Sequence, residues 1–366
     1  MLNLLIKTGH PFAAFRFPGE HEFINIVQTQ KEPALFNPEE LDRVAGFVFA
    51  PFDRESGEPH FIIHHDLSYS WHPGKPVNAP VYLPLPCVNS KEISFPDTGR
   101  EEYIRQIRQV LKEIGKGRAK KVVLSRPRLV RLPKVFDFTT FFTNLHLAYP
   151  EAFLFMVFLP GFGIWAGATP ELFLEQSSRY LKTVSLAGTL PIEDPGDIPF
   201  WTAKEKEEQH IVTEYILETL HASGFEPAEI NGSHTLVAGR MAHLQTIINI
   251  PFPANRKKLT KIIEALHPTP AICGYPKQVA LDIIRETENY NRQYYTGYLG
   301  PWNTRYSSQL YINLRSMQFL SSGPEAVLYA GGGITAASDP DQEWNETVMK
   351  IQTLLSVLEK MPNFVQ

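Results

Sequence analysis

Runs of apolar residues, and the spacing within them, divide this chain into short strands and amphipathic helices. Stretches rich in β-branched and aromatic residues predict strands over 44–50, 60–64, 121–132, 153–159, 171–174, 236–250, 309–319 and 326–330. A helical period predicts helices near 100–114, 138–148, 203–222, 256–266, 277–288 and 341–360. The uncharged stretch AFLFMVFLPGFGIWAGA, residues 152–168, is broken by Leu159-Pro160-Gly161, so two buried strands joined by a turn are expected there. Strands come in runs with helices inserted between them, which favours an α+β fold over regular βαβ alternation. The first 95 or so residues are Pro-rich and weakly patterned, and no linker forces a domain cut.

With 366 residues and 43% hydrophobic content the chain has material for a large core. Its 35 Lys and Arg against 39 Asp and Glu give a net charge of -4, which asks for neither nucleic acid nor an anionic membrane as partner. Cys87 and Cys273 form no metal spacing and no disulfide framework, and the apolar start MLNLLIKTGH is too short for a signal peptide. A soluble, cytoplasmic protein is expected.

The chemistry begins with carboxylates in unusual places. In TAKEKEEQHIVTEYILETL the apolar stripe runs through Ile211, Val212, Tyr215, Ile216 and Leu220, and Glu205 and Glu208 fall on that inward face. Either the helix frays before residue 209 or these two carboxylates serve a metal or a reaction. In PDQEWNETVMKIQTLLSVL, Glu343, Glu346 and Lys350 share a face at i, i+3, i+7, as a solvated flank or as a second such pair. Two i, i+3 carboxylate pairs without Cys or clustered His ligands suit a hard, oxygen-loving cation such as Mg²⁺.

Other candidates stand singly. YAGGGIT carries Gly331, Gly332 and Gly333, which suit a close backbone approach to an anion but read more readily as a tight turn. Arg315 lies in the middle of a strand-like run and needs an acidic partner, from the protein or a substrate. Glu171 opens an apolar strand after Pro170. His243, Thr246 and His267 read as ordinary structural residues. Lys121 in AKKVVLSR begins a strand about to enter the core, where lysine is seldom found unpaired. Together these describe acid–base chemistry on a small anionic substrate, without naming it.

KVVLSR, GATPELFL, SLAGT, KEKEEQHIV, LHPTPAICGYPK, RQYYTGYLG, YINLR and AGGGITAASDPDQEWNET, in this order over residues 119–360, resemble the chorismate-utilising family. That family includes isochorismate synthases, salicylate synthases and the large subunits of anthranilate and aminodeoxychorismate synthases. The resemblance implies one α+β domain with two large stacked antiparallel sheets flanked by helices, as in anthranilate synthase component I. Residues 1–95 would form its variable N-terminal part and residues 96–366 the chorismate-binding catalytic region. It further implies Mg²⁺ as cofactor, with Glu208 and Glu346 as direct ligands and Glu205 and Glu343 holding metal-bound water. Lys121 is similar to the family's general base and Glu171 to its general acid. Arg315, Lys350 and the amides around Gly331, Gly332 and Gly333 would hold substrate carboxylates, while His243, Ala271, Ile272, Tyr295 and Leu314 line the pocket.

Amine-forming relatives carry glutamine where Lys121 stands, because their nucleophile is ammonia. A lysine there implies activation of water for attack at C2 of chorismate, with Glu171 protonating the departing C4 hydroxyl; burial at a strand end favours the neutral amine a base needs. Ala187 stands where aminodeoxychorismate synthases have a nucleophilic lysine, which disfavours that branch. Salicylate-forming members tend to have threonine at Ala271 and tyrosine at Tyr295, so the two positions point opposite ways, and Ala271 tips the reading towards isochorismate synthase. Salicylate synthase is the first alternative. A non-catalytic or partner-dependent subunit is the second, although no glutamine amidotransferase partner is expected.

Overall fold

The computed structural model describes residues 1–73, 83–84, 97–192, 194, 196, 199–238, 241–251, 257–320 and 324–364; Cys87 lies outside them. Two nine-stranded sheets, antiparallel throughout, form the centre. In the first, the strand Lys121–Arg131 lies between Gly274–Tyr275 and Glu325–Thr335, followed by Ser316–Phe319, Gly163–Thr169 and Phe153–Leu159. The second runs from Glu229–Ala238 through Met241–Pro251, Tyr180–Pro191, Leu172–Gln176 and Gln309–Ile312 to Tyr298–Trp302. The last three strands at one end of each sheet come from the first 71 residues: Phe12–Arg16, Phe23–Val27 and Leu67–Trp71 complete one sheet and Gly46–Ala50, Phe61–His64 and Ala34–Leu35 the other.

The two-residue period shows why the sheets stack. Along Phe153–Leu159, Phe153, Phe155, Val157 and Leu159 pack with Phe47, Phe49 and Tyr311 of the second sheet. Leu154, Met156 and Phe158 face the other way, against Phe141, Phe142 and Leu145 of the helix Phe138–Ala148 and Leu354 and Leu358 of the helix Pro340–Leu358. Helices Ala203–Ala222 and Lys257–Leu266 cover the outer face of the second sheet through Val212, Ile216, Leu220, Ile262 and Ile263. Because both faces of the sheets are covered, their central strands read as continuous apolar runs rather than alternating ones. Among the described residues no helix is long and apolar enough to cross a membrane.

Three expectations are corrected. The strand over 236–250 is a hairpin, Glu229–Ala238 with Met241–Pro251. The run 309–319 is two strands belonging to different sheets, Gln309–Ile312 and Ser316–Phe319. Arg315 is therefore not mid-strand but at the crossover, with a left-handed φ of 47°. The glycines of YAGGGIT form no tight turn: they continue the strand Glu325–Thr335, with Gly331, Gly332 and Gly333 opposite Ser125, Leu124 and Val123. A Cβ on Gly333 would lie 2.5 Å from Glu208 Oε1 and 2.7 Å from Lys121 Cε, so packing, not turning, requires glycine there.

Candidate active site

A cavity opens where the two sheets and the helix Ala203–Ala222 meet. Glu171, Glu208, His243, Arg315, Lys350 and Tyr295 line it, together with Ala271, Ile272, Leu314 and Gly331 to Gly333. Residues from most of the chain's length thus converge, as expected of a site placed between layers. Lys121, Glu205, Glu343 and Glu346 do not line the cavity but stand behind its wall.

The helix carrying Glu205 and Glu208 does not fray. Thr202 caps it in a capping box in which Glu205 Oε2 accepts from the Thr202 backbone N–H at 3.0 Å and from its hydroxyl. One oxygen of Glu205 is therefore engaged by the cap, and the side chain is buried at 7% exposure. Glu208, one turn on, points to Lys121, whose Nζ lies 2.8 Å from its Oε1. Burial raises the Glu208 carboxyl, but Lys121, with Lys350 and Lys204, more than offsets this and holds it below the ordinary carboxylate range. Lys121 itself is fully buried at the first position of its strand. The lysine that looked out of place in the sequence is a buried, paired charge.

On the helix Pro340–Leu358, Glu346 and Lys350 form an i, i+4 ion pair, and Lys350 Nζ also donates to the Gly331 carbonyl at 2.9 Å. Glu343 is 1% exposed and meets Lys204 Nζ at 2.8 Å, while its Oε2 is buried without a hydrogen-bond partner. Burial and the neighbouring Glu346 raise the Glu343 carboxyl, against the pull of Lys204. The glycine pair brings the carboxylates together: a Cβ on Gly332 would lie 3.1 Å from Glu343 Oε2 and 3.8 Å from Glu346 Oε1, and one on Gly333 reaches Glu208. Each of them is nevertheless paired with a lysine, and among the described residues no three His, Cys, Asp or Glu side chains share one coordination shell.

Glu171 behaves differently. It is 5% exposed, and burial pushes its carboxyl up to about 8 against the opposing charges of Lys121 and Lys350. His243 is buried and held neutral, first by burial and then by Arg315 and Lys350. Arg315 donates to Thr353 Oγ1 at 3.0 Å, and burial lowers its guanidinium. His267 and Thr246 are engaged within the fold: His267 Nε2 donates to the Phe52 carbonyl at 3.1 Å and Thr246 Oγ1 accepts from Gln209. Among the side chains that the sequence reading passed over, Ser125, Thr189, Thr296 and Tyr329 line the cavity, and Lys204 pairs with Glu343. Lys204 sits inside the KEKEEQ motif beside Glu205, which was its one visible signal.

Residues 84–359 match the family model described as chorismate binding enzyme. The chain belongs to this family. Among its relatives, isochorismate synthase EntC of Escherichia coli (strain K12) is 29% identical over 244 residues, covering 65% of this chain. This chain spans 62% of that protein's length. The vibriobactin-specific isochorismate synthase of Vibrio cholerae is 27% identical over 325 residues, covering 87% of this chain and 80% of that one. The solved structure of MenF, the menaquinone-specific isochorismate synthase from Escherichia coli, superposes with a TM-score of 0.73 at 20% identity, covering 95% of this family member and 88% of MenF. At that identity the superposition shows a shared fold.

Proposed function

We propose that this chain is an isochorismate synthase, a Mg²⁺-dependent isomerase acting on chorismate without a glutamine amidotransferase partner. The observation that carries the reading is a cavity lined by a buried carboxyl, Glu171, that stays protonated near neutral pH, with the buried Lys121 behind its wall residue Glu208. Relatives named isochorismate synthase support it.

The donor set fits Mg²⁺. The Gly332–Gly333 step leaves the space a Cβ would fill, the carboxylates of Glu208, Glu343 and Glu346 border that space, and Glu343 Oε2 is buried with no hydrogen bond. Glu208 and Glu346 would hold the ion directly, Glu205 and Glu343 through water. When bound, it would stabilise a substrate carboxylate electrostatically and orient the ring.

The chain's own residues then divide the work. Arg315 and Lys350 supply positive charge for the substrate carboxylates. Lys121 Nζ takes a proton from water as that water attacks C2, and Glu171 gives its proton to the departing C4 hydroxyl. Buried walls limit access of other water to the ring.

The test is incubation of the purified protein with chorismate and Mg²⁺, with products resolved by chromatography and pyruvate followed by a coupled assay. Isochorismate in equilibrium with chorismate, without pyruvate, is expected. Stoichiometric pyruvate and salicylate would make it a salicylate synthase, a reading favoured only by Tyr295, which lines the cavity beside Ala271. No turnover would leave a binding subunit.

A further inference from the structure

The strand Tyr180–Pro191 pairs with Met241–Pro251 in regular register as far as Ala187 opposite Leu244. The next pair is Thr189 opposite His243, so Gly188 is an inserted residue, a β-bulge. Gly188 has a left-handed φ of 65°, the glycine conformation of such a bulge. It is also held by packing, since a Cβ there would come within 2.9 Å of the Glu205 carbonyl oxygen. Without the extra residue, Gly188 would face His243 and no side chain would reach the imidazole from this strand. With it, Thr189 Oγ1 lies 3.0 Å from His243 Nδ1.

The other imidazole nitrogen decides what this contact does. His243 is 5% exposed, and its Nε2 is buried without a hydrogen-bond partner on the wall of the cavity. A neutral imidazole donates from one nitrogen and accepts at the other, so the bond at Nδ1 fixes the role of Nε2. Arg315, which no described carboxylate pairs, and Lys350 line the cavity and suit an anionic ligand rich in acceptor oxygens. Such a ligand is served by a donor at Nε2, and a threonine hydroxyl, unlike a carbonyl, can supply the proton at Nδ1.

We infer that Thr189 is a positioning residue: its hydroxyl donates to His243 Nδ1 and holds the imidazole as the Nε2–H tautomer, a donor aimed at an oxygen of the bound substrate. The substrate's identity rests on the chorismate reading above; the tautomer does not. The bulge at Gly188 is thus a device for setting one proton, and it touches the same helix turn that carries Glu205 and Glu208.

The experiment is ¹⁵N NMR of the full chain labelled at histidine, with the His243 signals assigned by their loss in His243→Gln, alongside kinetics with chorismate and Mg²⁺. The wild-type protein is expected to show the Nε2–H tautomer. In Thr189→Val, which keeps the shape and loses the hydroxyl, the tautomers should mix and kcat/KM should fall about tenfold, the scale of one lost hydrogen bond. The thermal midpoint should hold, and Thr189→Ser should restore both signals. An Nδ1–H tautomer in the wild-type protein overturns the inference, as does a valine variant with unchanged tautomer and kcat/KM. Should Thr189→Val not fold, the wild-type spectrum and Thr189→Ser still decide it. A wild-type protein that does not turn over chorismate defeats the functional reading, while the spectrum continues to judge the tautomer.

Discussion

Near Gly332 and Gly333 three glutamates are each matched to a lysine, Glu208 with Lys121, Glu343 with Lys204 and Glu346 with Lys350. Glu171 lines the same cavity from the start of the strand Leu172–Gln176, yet no described lysine or arginine pairs with it. The same side chain therefore meets two environments. Beside Lys121, Glu208 is held as an anion; Glu171, buried without a partner, rises to about 8 and keeps its proton. Cation binding needs the first state and proton donation needs the second, and burial with or without a counter-charge separates them.

The comparison can be broken most sharply at Lys121, which belongs to the charged cluster but would act in the reaction. Lys121→Gln should lower kcat by about 10³-fold or more, within the range ascribed to general acid–base groups, while chorismate binding by calorimetry persists. Full turnover in that variant would remove Lys121 from the chemistry. Next comes Glu171→Gln, expected to cost about 10²- to 10³-fold in kcat, read in the same assay. In the wild-type enzyme the acid must enter protonated. Since burial raises its carboxyl to about 8, kcat should fall as pH rises through that value. A rate that stays flat to pH 9.5 would assign the proton to another group.

The paired side of the comparison should respond to metal rather than to pH. Glu208→Gln and Glu346→Gln should each raise the half-saturating Mg²⁺ concentration by about 10- to 100-fold, measured by titration after chelation with EDTA. An unchanged Mg²⁺ dependence would exclude that residue from the ion. The smallest effect is expected at the pocket wall: Ala271→Thr should change the ratio of pyruvate to isochorismate by only about tenfold or less, seen by chromatography. A complete switch to salicylate would show that this one position decides the product.

Helix boundaries were largely legible because amphipathic period and caps are local: 203–222 was read from its stripe, and the helix is Ala203–Ala222. The buried strand Phe153–Leu159 was equally clear, seven apolar residues ended by Pro160 and Gly161. The strands Phe12–Arg16, Phe23–Val27 and Tyr180–Pro191 were missed, because strands of five residues, or longer ones broken by polar residues and a bulge, carry a weak periodic signal. The break at Arg315 was missed for a similar reason. LYINLRSMQF keeps large apolar residues on both sides of Arg315, and only the packing of two sheets shows that the chain changes layer there.

The sequence by itself determined the family, through long motifs in fixed order, and the inventory of charged side chains set at unusual positions. Apart from the local i, i+4 pair of Glu346 and Lys350, which of those charges would be paired was decided by tertiary structure. Lys204 reaches Glu343 across 139 residues, and Lys121 meets Glu208 only because the helix Ala203–Ala222 lies against a strand from elsewhere in the chain. A local pattern can place a carboxylate on a face, but desolvation and counter-charge depend on everything packed around it, and these set whether it carries a proton.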